Sequence, residues 1–264
     1  MLRPVHTLLA HYNFFGGWPR AWLRHVVAAG GFAALEPPAD LPASAWRLAD
    51  KQMAILKALN IRVLPYWQFP SWLGASLQPP ALLFIRGRLD LVYKRGWAVV
   101  GSRRAQDKAR AWASRFAKTQ SEAGHLIISG GACGIDGAAH QGALAACGPT
   151  LAWLGVAADR IYPVVHRQLF ATILAQGGAL VSEIPPLAKS WPSDHARRNR
   201  FIAGQASNLM IVSAGLRSGS LGTARWAEKI GQRVWVPTTH LGGAREGIDL
   251  LLRHERAHMW RFDG

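Results

Sequence analysis

Leu126-Ile127-Ile128-Ser129-Gly130-Gly131-Ala132-Cys133-Gly134-Ile135-Asp136-Gly137-Ala138-Ala139-His140 passes from an apolar run of strand length, through glycines, into a helical pattern of small residues. Strand, glycine-rich turn and helix start are the parts with which an α/β sheet presents backbone N–H groups to a phosphate. Gly130, Gly131 and Gly134 let the chain turn tightly and keep side chains out of a ligand's way. The spacing is not Gly-x-Gly-x-x-Gly, and the phosphate loop ending in Gly-Lys-Ser/Thr is absent, so neither nucleotide fingerprint applies. Taken alone, the stretch serves equally as a tight turn without a ligand, and the reading rests on its neighbours.

Downstream of residue 96 the pattern alternates between strand and helix. Strands are expected at 97–100, 126–129, 150–154, 179–182, 208–212, 233–236 and 258–261. Helices are expected at 108–123, 137–146, 166–176, 198–206 and 221–230. This rhythm predicts an α/β fold with a doubly wound, mostly parallel sheet over residues 96–264. Right-handed crossovers then place every strand C-terminus on one rim, where open α/β sheets bind ligands. Residues 61–95 read as a linker with edge strands at 61–64 and 81–85, separated by aromatics and Pro79-Pro80. Residues 1–60 read as a small helical module, with helices at 6–15, 19–29, 43–48 and 51–59. Trp18, Trp22 and Trp46 are its expected core, and Arg20, Arg24, Arg47 and Lys51 its solvated face.

Charge narrows the class of ligand. Thirty-one Lys+Arg against fifteen Asp+Glu give the 264 residues a formal charge of +16. The excess is spread along the chain, where a magnitude of about 2–8 suffices for solubility, so the partner expected is a polyanion, with nucleic acid foremost. Cys133 and Cys147 form no Cys-x-x-Cys and read as small buried residues in a reducing compartment. The N-terminus lacks the shape of a signal peptide, and the longest apolar run, 143–158, is broken by Gly148, Pro149 and Thr150. A cytoplasmic protein without a membrane span is expected.

Three loops on the expected rim suit an anion. Gly101-Ser102-Arg103-Arg104 follows the first strand and offers a guanidinium fork. The stretch at 129–134 follows the second. Ser213 to Thr223 follows the fifth, and Ser218, Gly219, Ser220 and Thr223 open a helix there. Arg197-Arg198-Asn199-Arg200 enters another helix between them and helps build the same pocket.

In order, Gly101-Ser102-Arg103, Ser129-Gly130-x-x-x-Gly134-Ile135-Asp136-x-Ala138-Ala139-His140, Tyr162-Pro163, Ser182-Glu183, Arg198-Asn199-Arg200-x-Ile202-Ala203-Gly204 and Ser218-Gly219-Ser220-Leu221-x-Thr223-Ala224 are similar to the motifs of the DprA/Smf family of bacterial DNA-processing proteins. The resemblance runs from about Ala81 to the C-terminus, with the helical module also in the family's place. It implies an extended Rossmann-like fold that binds single-stranded DNA, forms homodimers and loads a RecA-type recombinase during natural transformation. It also implies that Ser102 and Arg103 lie in the family's phosphate-contacting turn, Gly130, Gly134, Asp136 and His140 in its second loop, and Arg198, Asn199 and Arg200 in its Arg-Asn-Arg segment.

Physical roles follow for each. Arg103 and Arg200 are expected to neutralise phosphates, and the backbone amides of residues 130–134 to fix the strand's register. Asp136 repels phosphate, so it is expected to cap the following helix or hold an arginine. His140 is read as a packed or capping histidine and Glu183 as a loop-bonding carboxylate; Trp191 and Tyr162 are stacking candidates. The chain departs from the family at Gly222, at Val212-Ser213-Ala214 and at Pro237-Thr238, and no winged-helix domain is expected after Gly264.

Other readings are weaker. His254-Glu255-Arg256-Ala257-His258 satisfies His-Glu-x-x-His but reads as a helix end running into a strand, so no metal is expected. Neither a catalytic residue nor a cofactor is required. The rival is an enzyme or sensor acting on a nucleotide derivative, similar to the LOG-type phosphoribohydrolases, in a mobile-element or phage-defence setting. Gly222-Thr223 fits that group, but Trp226 stands where its glutamate belongs.

Overall fold

The computed structural model describes residues 2–17, 41–74 and 77–262. Two helices come first, α1 (Leu2–Phe15) and α2 (Ala43–Ala58), then two strands, β1 (Arg62–Pro65) and β2 (Leu82–Gly87). The alternating region follows: β3 (Gly96–Val100), α3 (Asp107–Glu122), β4 (Leu126–Ser129), α4 (Ile135–Ala145), β5 (Thr150–Leu154), α5 (Arg167–Ala175), β6 (Ala179–Ser182), α6 (Pro192–Gln205), β7 (Ala206–Ile211), α7 (Gly219–Lys229), β8 (Arg233–Pro237), α8 (Glu246–Arg253) and β9 (His258–Trp260).

Among the described residues the strands form one nine-stranded sheet in the order β1-β2-β6-β5-β4-β3-β7-β8-β9. From β6 to β9 every neighbouring pair is parallel, and β2 and β1 extend the β6 edge antiparallel. The chain winds outward from β3 to β6 and returns through α6 to lay β7 on the other side of β3. That return makes the space above β3 and β7 a topological switch point, where open α/β sheets bind ligands.

Period-two alternation explains why these runs are strands. Ala98, Ile128, Trp153, Val181 and Leu209 face one core with Phe201, Ile202 and Leu221, while Val99, Ile127 and Met210 face another with Phe116 and Ala139. Both faces are covered, so the central strands are apolar throughout. Helices α6, α7 and α8 pack on the first face; α3 and α4 pack on the second. The small residues of α4 bring it close to α3: a Cβ at Gly142 would overlap the Ser114 carbonyl.

The strands fall within one or two residues of expectation. The helices carry four corrections, the first being that α1 starts at Leu2, four residues before the expected 6. Residues 43–58 form one helix without a break near 50, because Ala45, Ala49, Gln52 and Leu56 are buried on one face. Helix α6 starts at Pro192, six residues before the expected 198, and α8 precedes the helix end read near His254. In the N-terminal pair, Val5, Leu8 and Leu9 pack with Leu56, Leu82 and Phe84, and Trp46 lies half-buried against them. The expected helix at 19–29, with Trp18, Trp22, Arg20 and Arg24, lies outside the described residues. Cys147 is exposed and Cys133 half-buried, because the short turn after α4 leaves the former at the surface. No helix among the described residues is long and apolar enough to cross a membrane.

Candidate nucleic-acid interface

A cleft of about 570 Å³ opens at the switch point. Gly101, Ser102, Arg103 and Arg104 line it from the β3 loop; Ala132 and Asp136 from the β4 loop and α4. His195, Arg198, Asn199 and Ile202 line it from α6, and Arg217, Ser218, Gly219, Ser220 and Thr223 from the β7 loop and α7. Eleven of the residues singled out from the sequence therefore meet in one cavity: Gly101, Ser102, Arg103, Arg104, Asp136, Arg198, Asn199, Ser218, Gly219, Ser220 and Thr223.

Backbone contacts lace these loops together. Ser102 N donates to Ser213 O at 2.9 Å, and Ile135 N donates to Ser102 O at 3.3 Å. Gly134 has φ +80°, and a Cβ there would run into the Ser102 carbonyl. Arg104 N donates to Ser102 Oγ at 3.1 Å, which curls the β3 loop and leaves Arg103 and Arg104 exposed. Neither they nor Arg217 form an ion pair among the described residues. Opposite, Ser218 caps α7 by accepting from Ser220 N, so the positive end of that helix faces the cavity. Asn199 Nδ2 donates to Gly219 O at 3.2 Å and ties α6 to this helix start.

The back of the cleft holds a buried cation. Arg198 is 4 % exposed; its Nη1 donates to Trp153 O at 2.7 Å, while its Nε has no partner. Burial pushes the guanidinium down to about 10, against the pull of Asp136, so it stays charged at neutral pH. Asp136 accepts from Gly130 N at 3.1 Å and Ala132 N at 3.4 Å. Its burial pushes the carboxyl up, against Arg198, these two amides and Arg103. This aspartate holds the loop rather than capping the helix.

Several expected roles are overturned. Ser129, Gly130, Gly131 and Gly134 underpin the cleft without lining it, and the Gly130 and Ala132 amides turn inward onto Asp136 instead of outward to a phosphate. Ser129 Oγ donates to Val99 O at 2.6 Å, beneath the loop. Gly130 is required by Arg198, since a Cβ would overlap the guanidinium, and Gly131 by Phe170. Arg200 points away from the cavity. It is 3 % exposed and donates Nη2–H to Glu183 Oε2 at 2.7 Å, with Arg197 on the same carboxylate at 3.1 Å. The reason is helical: Arg197 and Arg200 share one face of α6, whereas Arg198 shares another with His195 and Ile202. Glu183 therefore holds arginines rather than a loop. Its burial raises the carboxyl, but Arg200 and Arg197 outweigh this and keep it below the usual carboxylate range.

His140 is fully buried, with Nδ1 2.8 Å from Thr150 Oγ1. Thr150 gives its proton to Ile127 O at 2.7 Å, so Nδ1 carries the hydrogen, and burial lowers the ring's pKa to about 3. It is a packed histidine. His195 and Arg217 were not singled out; the spacing 195, 198, 199, 202 on one helix would have found the first. Tyr162 and Trp191 are exposed near the cleft, Tyr162 with its ring 5.2 Å from His195. Among the described residues no group of His, Cys, Asp and Glu could hold a metal, and His254 and His258 fall on the end of α8 and on β9. Trp226 packs on the core, so no carboxylate enters the cleft from that turn.

The model of the family described as DNA recombination-mediator protein A matches residues 62–261. Protein Smf of Escherichia coli (strain K12) is 43 % identical over 190 residues, 70 % of this chain and 50 % of its own length. DNA processing protein DprA of Bacillus subtilis (strain 168) is 34 % identical over 170 residues, covering 64 % of this chain and 57 % of its own. The chain spans about half the length of the first of these relatives. The X-ray structure of DprA from Streptococcus pneumoniae superimposes with a TM-score of 0.73 at 27 % identity, over 92 % of this chain and 90 % of that one. DNA processing protein A from Helicobacter pylori, whose structure is described for its single-stranded DNA binding mode, gives 0.69 at 26 % identity, over 76 % and 91 %. With the matched region taking in every loop of the cleft and the helix across it, the chain belongs to the DNA recombination-mediator protein A family, the DprA/Smf proteins.

Proposed function

We propose that the cleft binds the phosphodiester backbone of single-stranded DNA and that the protein acts as a recombination mediator. The observation that carries this is Arg198: a buried cation with an unfilled N–H at the back of a cavity whose mouth carries Arg103, Arg104 and Arg217 without ion-pair partners. A helix start and three arginines on one rim suit a ligand with several phosphates. Family membership and the strand binding described for the Helicobacter pylori relative support the same reading. Loading of a RecA-type recombinase, a homodimer and work in the cytoplasm belong to this proposal, as does placing the DNA-binding unit in residues 96–264 with β1 and β2 extending its sheet edge. Binding without catalysis is favoured because Asp136 is the one carboxylate among the lining residues and it is committed to the loop.

The test is a titration of fluorescent oligo-dT at two salt concentrations, with duplex DNA and AMP as competitors. Salt-sensitive binding that neither competitor removes is expected. Arg103→Ala should weaken it for all sequences alike and reduce the salt slope by roughly one. Displacement by AMP, or no strand binding at moderate salt, would move the cleft to a nucleotide enzyme or sensor.

A further inference from the structure

His195 sits one helical turn before Arg198 and Asn199 on α6 and lines the cleft with them. Its ring is wedged: a Cβ at Gly155 would come within 2.6 Å of Nδ1, and the Tyr162 ring lies 5.2 Å away on a tilted plane. Nδ1 lies against the Gly155 backbone beyond β5, and the residue lines the cleft. No hydrogen bond holds the ring among the described residues.

The charged groups around it are few. From its own helix it meets Arg198, and from the β3 loop Arg103. Asp136 on α4 is occupied by the Gly130 and Ala132 amides, and beyond β5 the Tyr162 ring and the Gly155 backbone approach. We propose that His195 is a phosphodiester ligand of the cleft and takes up a proton as the strand binds, so that affinity rises on acidification.

This rests on reading the cleft as a strand site. In the empty cleft, burial first, then Arg198 and Arg103, lower the imidazole to about 4, so it is neutral at pH 7. A phosphodiester there would offset both guanidinium groups and accept a hydrogen bond from the ring, and each effect favours the imidazolium. The bound state then holds a proton that the free state lacks, and linkage requires tighter binding as pH falls through the bound pKa toward the free one.

Calorimetric titration with oligo-dT, at pH 7.5 and 5.5 and in buffers of different ionisation enthalpy, counts the protons taken up. Thymine and the phosphodiesters do not titrate in this range. The wild type should bind roughly fivefold to tenfold tighter at pH 5.5, with uptake approaching one proton. His195→Phe keeps a ring against Gly155 and Tyr162 without either nitrogen, and His195→Gln provides a second variant should that ring fail to pack; each should lose this uptake. Uptake in both variants equal to wild type would overturn the inference and leave strand binding standing. No binding of oligo-dT to the wild type at low salt and pH 7.5 would overturn the strand reading and the inference together.

Discussion

Arg198 and Arg200 are two positions apart and have opposite fates. One is buried at the back of a cavity with an unpaired Nε; the other is buried in an ion pair with Glu183. A string of letters shows two equal arginines, and only the helix phase separates them. Gly130 teaches the same lesson, for it looks like a residue cleared for a phosphate and is cleared for the Arg198 guanidinium. The Glu183 pair makes a prediction of its own. Glu183→Gln leaves Arg200 buried beside a neutral amide, which should cost about 3–5 kcal/mol in denaturant unfolding. The wild-type carboxyl is lowered on folding, so its contribution is present above the unfolded value near 4.5 and lost as pH falls through the lower folded value. The variant should lack that acid limb. Because neither residue lines the cleft, the affinity of the folded variant for oligo-dT should stay within about twofold, a ratio worth only about 0.4 kcal/mol. A large loss of affinity would mean that the pair positions the cleft after all.

At the scale of elements, the sheet was legible because its strands carry the period-two signature of burial on both faces, as in Ile127 and Ile128 turning to different cores. The rim loops were legible too, through glycines and hydroxyls at strand ends. What the sequence hid was the start of α6. Pro192 at its first turn and Trp191 N–H donating to Asp194 Oδ2 at 2.7 Å begin the helix, and these signals lay upstream of the conspicuous arginines. Starting the helix at 198 puts Arg198, Asn199 and Arg200 together at a helix entrance, with no phase to separate them, and leaves His195 outside the site. The lacing of the loops was equally invisible, because it depends on Gly134 touching Ser102, residues 32 apart in sequence. Gly134→Ala should therefore act through the loop pair. With φ +80° and the Ser102 carbonyl in the way, it should cost about 1–3 kcal/mol of stability and weaken strand binding by displacing Arg103. Unfolding curves and oligo-dT titrations of the same sample check both; full stability with full affinity would show that the loops are not coupled.

For the molecule as a whole, the question is whether +16 acts as a field or through a few contacts. The acidic residues are largely spent locally: Asp90 on Arg88, Asp107 on Arg110, Glu122 on Lys118, Glu228 on Arg256 and Asp249 on Arg245. Those pairs cancel at short range, while Arg103, Arg104 and Arg217 at the mouth of the cleft are left uncancelled. A general field would attract a strand to any basic face, including the exposed Arg47, Lys51 and Lys57 of α2, which packs on the β2 side of the sheet. Two triple variants separate the cases, since each lowers the net charge by the same three units. Replacing Arg103, Arg104 and Arg217 with glutamine should reduce the slope of log affinity against log salt by about two, as expected for three lost contacts to a single strand. Replacing Arg47, Lys51 and Lys57 with glutamine should slow association slightly at low salt and leave that slope nearly unchanged, because long-range attraction is screened beyond about 10 Å at 0.1 M salt. Equal losses in the two variants would show that the strand reads the protein's total charge and not the cleft at its switch point.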